Sequence, residues 1–346
     1  MRANHMLAAA AALTFCTTAA LTGARAETPA EFFSGKTVKI IIGFSPAGTY
    51  GQYAQLAARH IKKHLPGQPT IIVQSVRGAG GIAALNHVAN IAPKDGTVAI
   101  VAPINTVQDG LLNPKAQYDP AKFQWVGRMM ELVQLGVVSG KSGLKTLQDG
   151  KAKVISAGGI GATNPTSMNW KILNKVLGTK FNIISGYKGL PDATLAFTRG
   201  EVDAVMMNWE TAVQQFPAEL KSGKMKPLFV FSSGRAKEAK ELPALGELGS
   251  TEVEKAFLQI YTVGPRIGRS IALYGDIPAE RMAAWRKAFD AMLRDKEFLG
   301  EVEKRNMRFD PLNGAEVSDF VGKSMRHSKE TIAAVKAYYA KLTSEM

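Results

Sequence analysis

Val38-Lys39-Ile40-Ile41-Ile42-Gly43-Phe44-Ser45-Pro46-Ala47-Gly48-Thr49 decides how this chain is read: an apolar, β-branched strand runs straight into a glycine- and proline-containing turn that opens a helix. The device recurs twice. Thr70 to Val76 leads into Gly78-Ala79-Gly80-Gly81, and Lys153 to Ser156 leads into Gly158-Gly159-Ile160-Gly161. Backbone N–H groups at a helix start have no intrahelical acceptor, and the helix dipole leaves them partly positive, so each turn is a ready seat for an anion. Glycines after strands also serve ordinary tight turns. Three at one sheet edge favour a bound anion over turn geometry alone.

Around these turns the pattern is α/β. Strands are expected at 38 to 43, 70 to 76, 97 to 102, 134 to 139, 153 to 157, 181 to 186, 203 to 207 and 226 to 232, with helical stretches between most neighbours. Tyr53, Leu56, Ala57 and Ile61 share one helix face, and Trp170, Leu173, Val176 and Leu177 another. Such alternation argues for parallel sheets covered on both faces, with ligands held beyond the carboxyl ends of the strands. Two lobes are expected, because ~320 mature residues exceed what one core usually fills. Residues 27–137 with 262–346 are read as lobe 1 and 138–261 as lobe 2. The crossings are placed near Gly136 to Lys141 and near Gln259 to Gly264. The tail from Pro278 reads as helices, with Trp285, Phe289 and Leu293 on one face. A double crossing favours hinge closure over a site between lobes.

The first residues give the compartment. Arg2 precedes an apolar run from Met6 to Leu21, and Ala24-Arg25-Ala26 supplies a small-x-small cleavage pattern. Residues 1–26 are therefore read as a signal peptide and the mature protein as periplasmic, beginning near Glu27. Cys16 is the only cysteine and lies in that leader, behind Thr14 and Phe15 rather than the small residues a lipid anchor needs. A mature chain without thiols excludes disulfides, thiolate metal ligands and cysteine nucleophiles. The precursor carries a formal charge of +14, but its lysines and arginines are dispersed, with no basic run interleaved with aromatics. Nucleic acid is thus not an expected partner.

Enzyme readings fare poorly. Gly78, Gly80 and Ala83 match a dinucleotide fingerprint, yet they follow the second strand, and Asp95 falls before the next strand, where it cannot easily reach a ribose. Ser45 invites comparison with a nucleophile elbow, but Pro46 removes a backbone donor that an oxyanion hole would need. A secreted α/β serine hydrolase using Ser45 is the alternative carried forward. His60 and His64 share a helical face without the glutamate of a metalloprotease motif, and are read as surface histidines. Asp203 is given no acid or base role. No cofactor, metal or catalytic residue is expected.

Phe44-Ser45-Pro46-Ala47-Gly48-Thr49 resembles the Phe-Pro-Pro-Gly-Gly opening of the TctC/Bug solute-binding proteins of tripartite tricarboxylate transporters. Gly78-Ala79-Gly80-Gly81, Ala92-Pro93-Lys94-Asp95-Gly96, Tyr118-Asp119-Pro120, Tyr187-Lys188-Gly189 and Gly200-Glu201-Val202-Asp203 are similar to that family's later landmarks, in the same order. The resemblance covers roughly residues 36 to 300 and rests on the ordered set. It implies a two-lobed, type II-like periplasmic-binding-protein (Venus flytrap) fold with a parallel-dominated mixed sheet in each lobe. It also implies a monomer that captures a small organic carboxylate and delivers it to integral-membrane permease subunits. Carried over residue by residue, the ligand contacts are Ser45, Ala47, Gly48 and Thr49; Gly80 and Gly81; Ala162, Thr163 and Asn164; and Tyr187 and Lys188. Helix capping ahead of Pro165 is the competing account of Thr163 and Asn164, and core packing that of Tyr187. Asn208 and Trp209 are further candidates for the cleft lining, with packing as likely an account. Two departures bear on the ligand. An acid common soon after the first turn is here Gly51, which disfavours an amino acid, and the second family proline is here Arg77.

Overall fold

The computed structural model describes residues 27–161 and 164–344. Its strands are β1 (Thr37–Ile42), β2 (Thr70–Ser75), β3 (Val98–Val101), β4 (Phe123–Arg128), β5 (Gln134–Ser139), β6 (Val154–Gly159), β7 (Lys180–Ser185), β8 (Ala204–Asn208), β9 (Met225–Val230), β10 (Ser270–Tyr274) and β11 (Leu312–Asn313). They form two mixed sheets, in the orders β11-β4-β10-β3-β1-β2 and β7-β6-β8-β5-β9. In the first, β1 pairs parallel with β2 and β3, while β10 inserts antiparallel between β3 and β4. In the second, β6 pairs parallel with β7 and β8, and β5 runs antiparallel to β8 and β9. The result is a two-lobed α/β fold.

The centre of the first sheet follows from its sequence. Val38, Ile40, Ile41 and Ile42 are fully buried because helices cover both faces. Ile40 and Ile42 pack with Tyr53, Leu56 and Ala57 of helix Thr49–Ile61. Ile41 points the other way, towards Leu85 and Val88 of helix Ile82–Asn90. The two-residue period of the strand thus feeds two different cores.

All eight expected strands are present, and three others were not expected: β4, β10 and β11. The tail carries helices Ala279–Met292, Lys296–Lys304, Gly314–Met325 and Lys329–Ser344. Trp285 and Phe289 are buried as the periodicity implied, and the Trp285 indole N–H donates to Gly96 O at 2.9 Å. His60 corrects the surface reading: it is 6% exposed and meets the Glu301 carboxylate at 2.9 Å, while His64 meets Asp295 at 2.9 Å. The tail helix Lys296–Lys304 docks there, which local periodicity could not reveal. The proposed leader lies outside the described residues. No helix among the described residues is long and apolar enough to cross a membrane.

The chain passes between the sheets through residues 129–133 and returns through residues 263–269. These passages are tied to each other: Met129 N donates to Arg269 O at 3.0 Å, Arg269 N to Met130 O at 2.9 Å, and Leu132 N to Pro265 O at 3.0 Å. Because β5 pairs antiparallel with β8, Gln134 at its start lies beside Asn208 at the end of β8. The first passage leaves β4 at Arg128, at the same edge where β1 and β3 end. The carboxyl edges of the parallel strands in both sheets therefore border one junction.

Candidate functional site

The first turn opens helix Thr49–Ile61 with Gly48 at the N-cap, in extended geometry and without a side-chain cap. The N–H groups of the first helical turn are left available to a ligand. Residues 45–49 are exposed, with Ser45 Oγ accepting from Ala47 N at 3.3 Å. Gly51 accounts for its own departure from the family pattern: a Cβ there would lie 2.0 Å from Pro46 O, so this turn excludes any side chain, acidic or otherwise.

The second turn lies against the first. Gly78, Ala79, Gly80 and Gly81 have φ of 145°, 46°, 65° and 102°, an unbroken run of positive φ that only glycine adopts cheaply. Gly81 then caps helix Ile82–Asn90 without a side-chain acceptor. A Cβ on Gly81 would sit 2.8 Å from Pro103 Cγ and 3.3 Å from the Phe44 ring, and one on Gly43 would sit 2.9 Å from Gly81 Cα. Asn105, after β3, donates to Gly80 O at 3.2 Å and also bonds Asp109, whose carboxyl is pushed up by burial despite bonds from Asn113 and Asn105. The second turn thus packs on Gly43 and Phe44, immediately ahead of Ser45 to Thr49.

In the second lobe the turn after β6 is closed on itself. Asn164 Oδ1 accepts from Thr166 N at 3.0 Å and Thr166 Oγ1 at 2.8 Å, Thr166 Oγ1 accepts from Ile160 N at 3.0 Å, and Pro165 takes the first helical position. The capping account of Asn164 is therefore realised in its side-chain oxygen. Ala162 and Thr163 lie outside the described residues. The turn after β7 adjoins this one: Gly186 N donates to Gly159 O at 3.2 Å, the Tyr187 ring lies against Gly158, and Lys188 is exposed. Asn208 and Trp209 are half-buried at the end of β8, where Trp209 N donates to Val133 O of the first passage at 3.0 Å.

Ion pairs join the lobes beside this junction. Arg308, close to β11, meets Glu210 at 2.7 Å and also Glu238, and Lys237 meets Asp310 at 3.0 Å. The Tyr53 hydroxyl donates to Arg308 O, which ties the helix opened by the first turn to the same cluster. Burial pushes the Tyr53 phenol up to about 12, with Arg269 lowering and Glu210 raising it.

Sequence reasoning missed Arg269. It immediately precedes β10, and because β10 is antiparallel its amino end reaches the edge where the parallel strands stop. Its guanidinium donates to Thr49 Oγ1 at 2.7 Å and lies over the Tyr50 ring, 3.8 Å from the centroid. Only an expectation of a reversed strand within the sheet would have placed it there.

The sequence profile described as tripartite tricarboxylate transporter family receptor matches residues 53–270. The chain belongs to this TctC receptor family. A relative, the protein BugT of Bordetella pertussis, is 26% identical over 241 residues, covering 67% of this chain and 72% of BugT. Among solved structures, a TctC solute-binding protein from Polaromonas superposes with a TM-score of 0.64 at 18% identity, covering 90% of this chain and 99% of that one. MatC from Rhodopseudomonas palustris, solved with bound malate, superposes with a TM-score of 0.55 at 20% identity, covering 87% and 99%. The hydrolase alternative is not favoured: the matching profile describes a receptor, and His60 and His64 bond Glu301 and Asp295 rather than Ser45.

Proposed function

We propose that this receptor works in the periplasm as a monomer, after loss of residues 1–26, and captures a small organic carboxylate between its lobes. It then presents that ligand to the permease subunits of a tripartite tricarboxylate-type transporter. The reading is supported by one observation: two helix starts without side-chain caps, at Gly48 and Gly81, follow the adjacent parallel strands β1 and β2, and Gly81 packs against Gly43 and Phe44 at an edge that borders the junction of the lobes. The malate held by MatC supports the carboxylate class. Ser45, Ala47, Gly48, Thr49, Gly80 and Gly81 supply the lobe 1 contacts in this reading, and Ala162, Thr163, Asn164, Tyr187 and Lys188 those of lobe 2.

The magnitudes suffice without a catalytic group. A helix terminus contributes about 0.3 to 1 kcal/mol, and a hydrogen bond to an ionised group about 1.5 to 3 kcal/mol. A micromolar complex needs about 8 kcal/mol net. Four or five such bonds, less the cost of association and closure, reach it. Contacts made by both lobes favour the joined form, and only that differential affinity drives closure.

Native mass spectrometry of freshly purified protein, followed by a thermal-shift screen of organic acids, tests the proposal. An acid at a hundred times its dissociation constant adds about 2.7 kcal/mol of stability. The reading fails if no carboxylate stabilises the protein, or if an added acid is converted to product.

A further inference from the structure

We propose that Arg269 is the charged partner of the bound anion, its guanidinium pairing with a ligand carboxylate held at the first turn. The inference rests on the receptor reading above and adds a buried side-chain cation beside the main-chain amides of the first turn.

Arg269 is 6% exposed. The other arginine buried this deeply among the described residues, Arg128, is answered by two carboxylates, Glu131 at 3.2 Å and Asp310 at 2.5 Å. Arg269 makes no ion pair among the described residues. Its partners are neutral: Thr49 Oγ1 at 2.7 Å, Gly268 O at 3.2 Å and the face of Tyr50. Its Nε is buried with no hydrogen-bond partner. A buried charge is ordinarily paired, and one left uncompensated costs several kcal/mol. The placement sharpens the conflict, since Thr49 and Tyr50 open a helix whose dipole end is positive. Two positive elements set together are reconciled by a negative charge bound between them.

The arginine is held in place for that task. Tyr50, beneath the guanidinium, stacks on Phe44 with ring centroids 4.3 Å apart, and its hydroxyl accepts from Ile104 N at 3.0 Å. Thr49, at the other end of the contact, is exposed. The backbone of Arg269 belongs to the paired passages between the lobes, so the charge stands beside their junction. A planar guanidinium fork matches a carboxylate in two parallel hydrogen bonds, which an ammonium cannot do.

The test uses the mature protein and its Arg269→Met and Arg269→Lys variants, dialysed into carboxylate-free buffer and challenged with malate, adipate, citrate and benzoate. Without added acid, Arg269→Met melts at or above the wild-type temperature, because an uncompensated charge has been removed. A fall of more than about 5 °C would make Arg269 a structural tether and overturn the proposal. With the acid that stabilises wild type most, Arg269→Met binds at least about tenfold more weakly, and Arg269→Lys lies between. The weakening that about 0.5 M salt causes in wild type shrinks in Arg269→Met. Equal affinity in wild type and Arg269→Met overturns the proposal. If none of the acids stabilises wild type, the carboxylate-receptor reading fails, and the melting comparison without acid still decides whether Arg269 is an unanswered charge.

Discussion

Removing the Arg308 guanidinium should part the lobes. In this structure Arg308 bridges to Glu210 and Glu238, both carried by segments of the second lobe. The arginine side chain is 14% exposed and the two acids 33% and 29%, between the surface and buried regimes. Solvent screening holds each pair to about 1 kcal/mol. Arg308→Ala therefore costs about 2 kcal/mol of lobe-to-lobe attachment, a factor of about 30 in the balance between joined and parted forms. Where binding requires the joined form, apparent affinity falls with the fraction joined, by at most that factor. Small-angle scattering of the ligand-free protein should report a larger radius of gyration, and calorimetry a weaker Kd for whichever carboxylate the screen identifies. A Glu210→Gln/Glu238→Gln variant should reproduce the effect, and combining it with Arg308→Ala should add little, because the residues act as one unit. Unchanged radius and affinity in Arg308→Ala, or full additivity, would refute the reasoning.

Other expectations follow from local geometry. Burial raises the Glu301 carboxyl, but bonds from His60 and Arg59 outweigh it and bring its pKa down to about 2 from an ordinary 4.5. The stability it supplies is present above about pH 4.5 and is lost as pH falls towards 2, so Glu301→Gln should flatten the melting temperature over that range. Gly81→Ala forces a side chain to φ 102° with its Cβ 2.8 Å from Pro103 Cγ. It should lose about 1–3 kcal/mol in chemical denaturation and weaken anion binding together. Gly51→Asp, which restores an acid after the first turn, meets Pro46 O at 2.0 Å and should destabilise by more than about 2 kcal/mol, seen as a lower melting midpoint. Ser45→Ala should fold normally and retain ligand less well. An esterase activity in wild type that vanishes in this variant would instead establish the hydrolase.

The sequence read well wherever local chemistry and long-range structure agreed. The strand of Val38 to Ile42 is apolar except for the exposed Lys39 because its other residues are buried, and Gly43 after it has no room for a side chain because a Cβ there would lie 2.9 Å from Gly81 Cα. It read poorly where a residue depends on a distant partner. β10 is five residues whose place in the sheet depends on antiparallel pairing with β3 and β4, partners distant in sequence. Its reversed direction is what carries Arg269 to Thr49 and Tyr50 at the first turn. β11 is two residues that exist only by pairing with β4. His60 shares its helix face with His64 and reads as solvated until helix Lys296–Lys304 is laid across it. Asn164 was legible as a cap because the Asn-Pro pair encodes that role locally.

The two passages between the lobes cross side by side and are laced together by main-chain bonds at Met129, Met130 and Arg269. A single strap would let one half swivel freely against the other. A pair of straps stitched along their length resists torsion and yields mainly to bending across the ribbon. Any hinge closure of the halves is thereby steered towards one arc, like the covers of a book, rather than a twist.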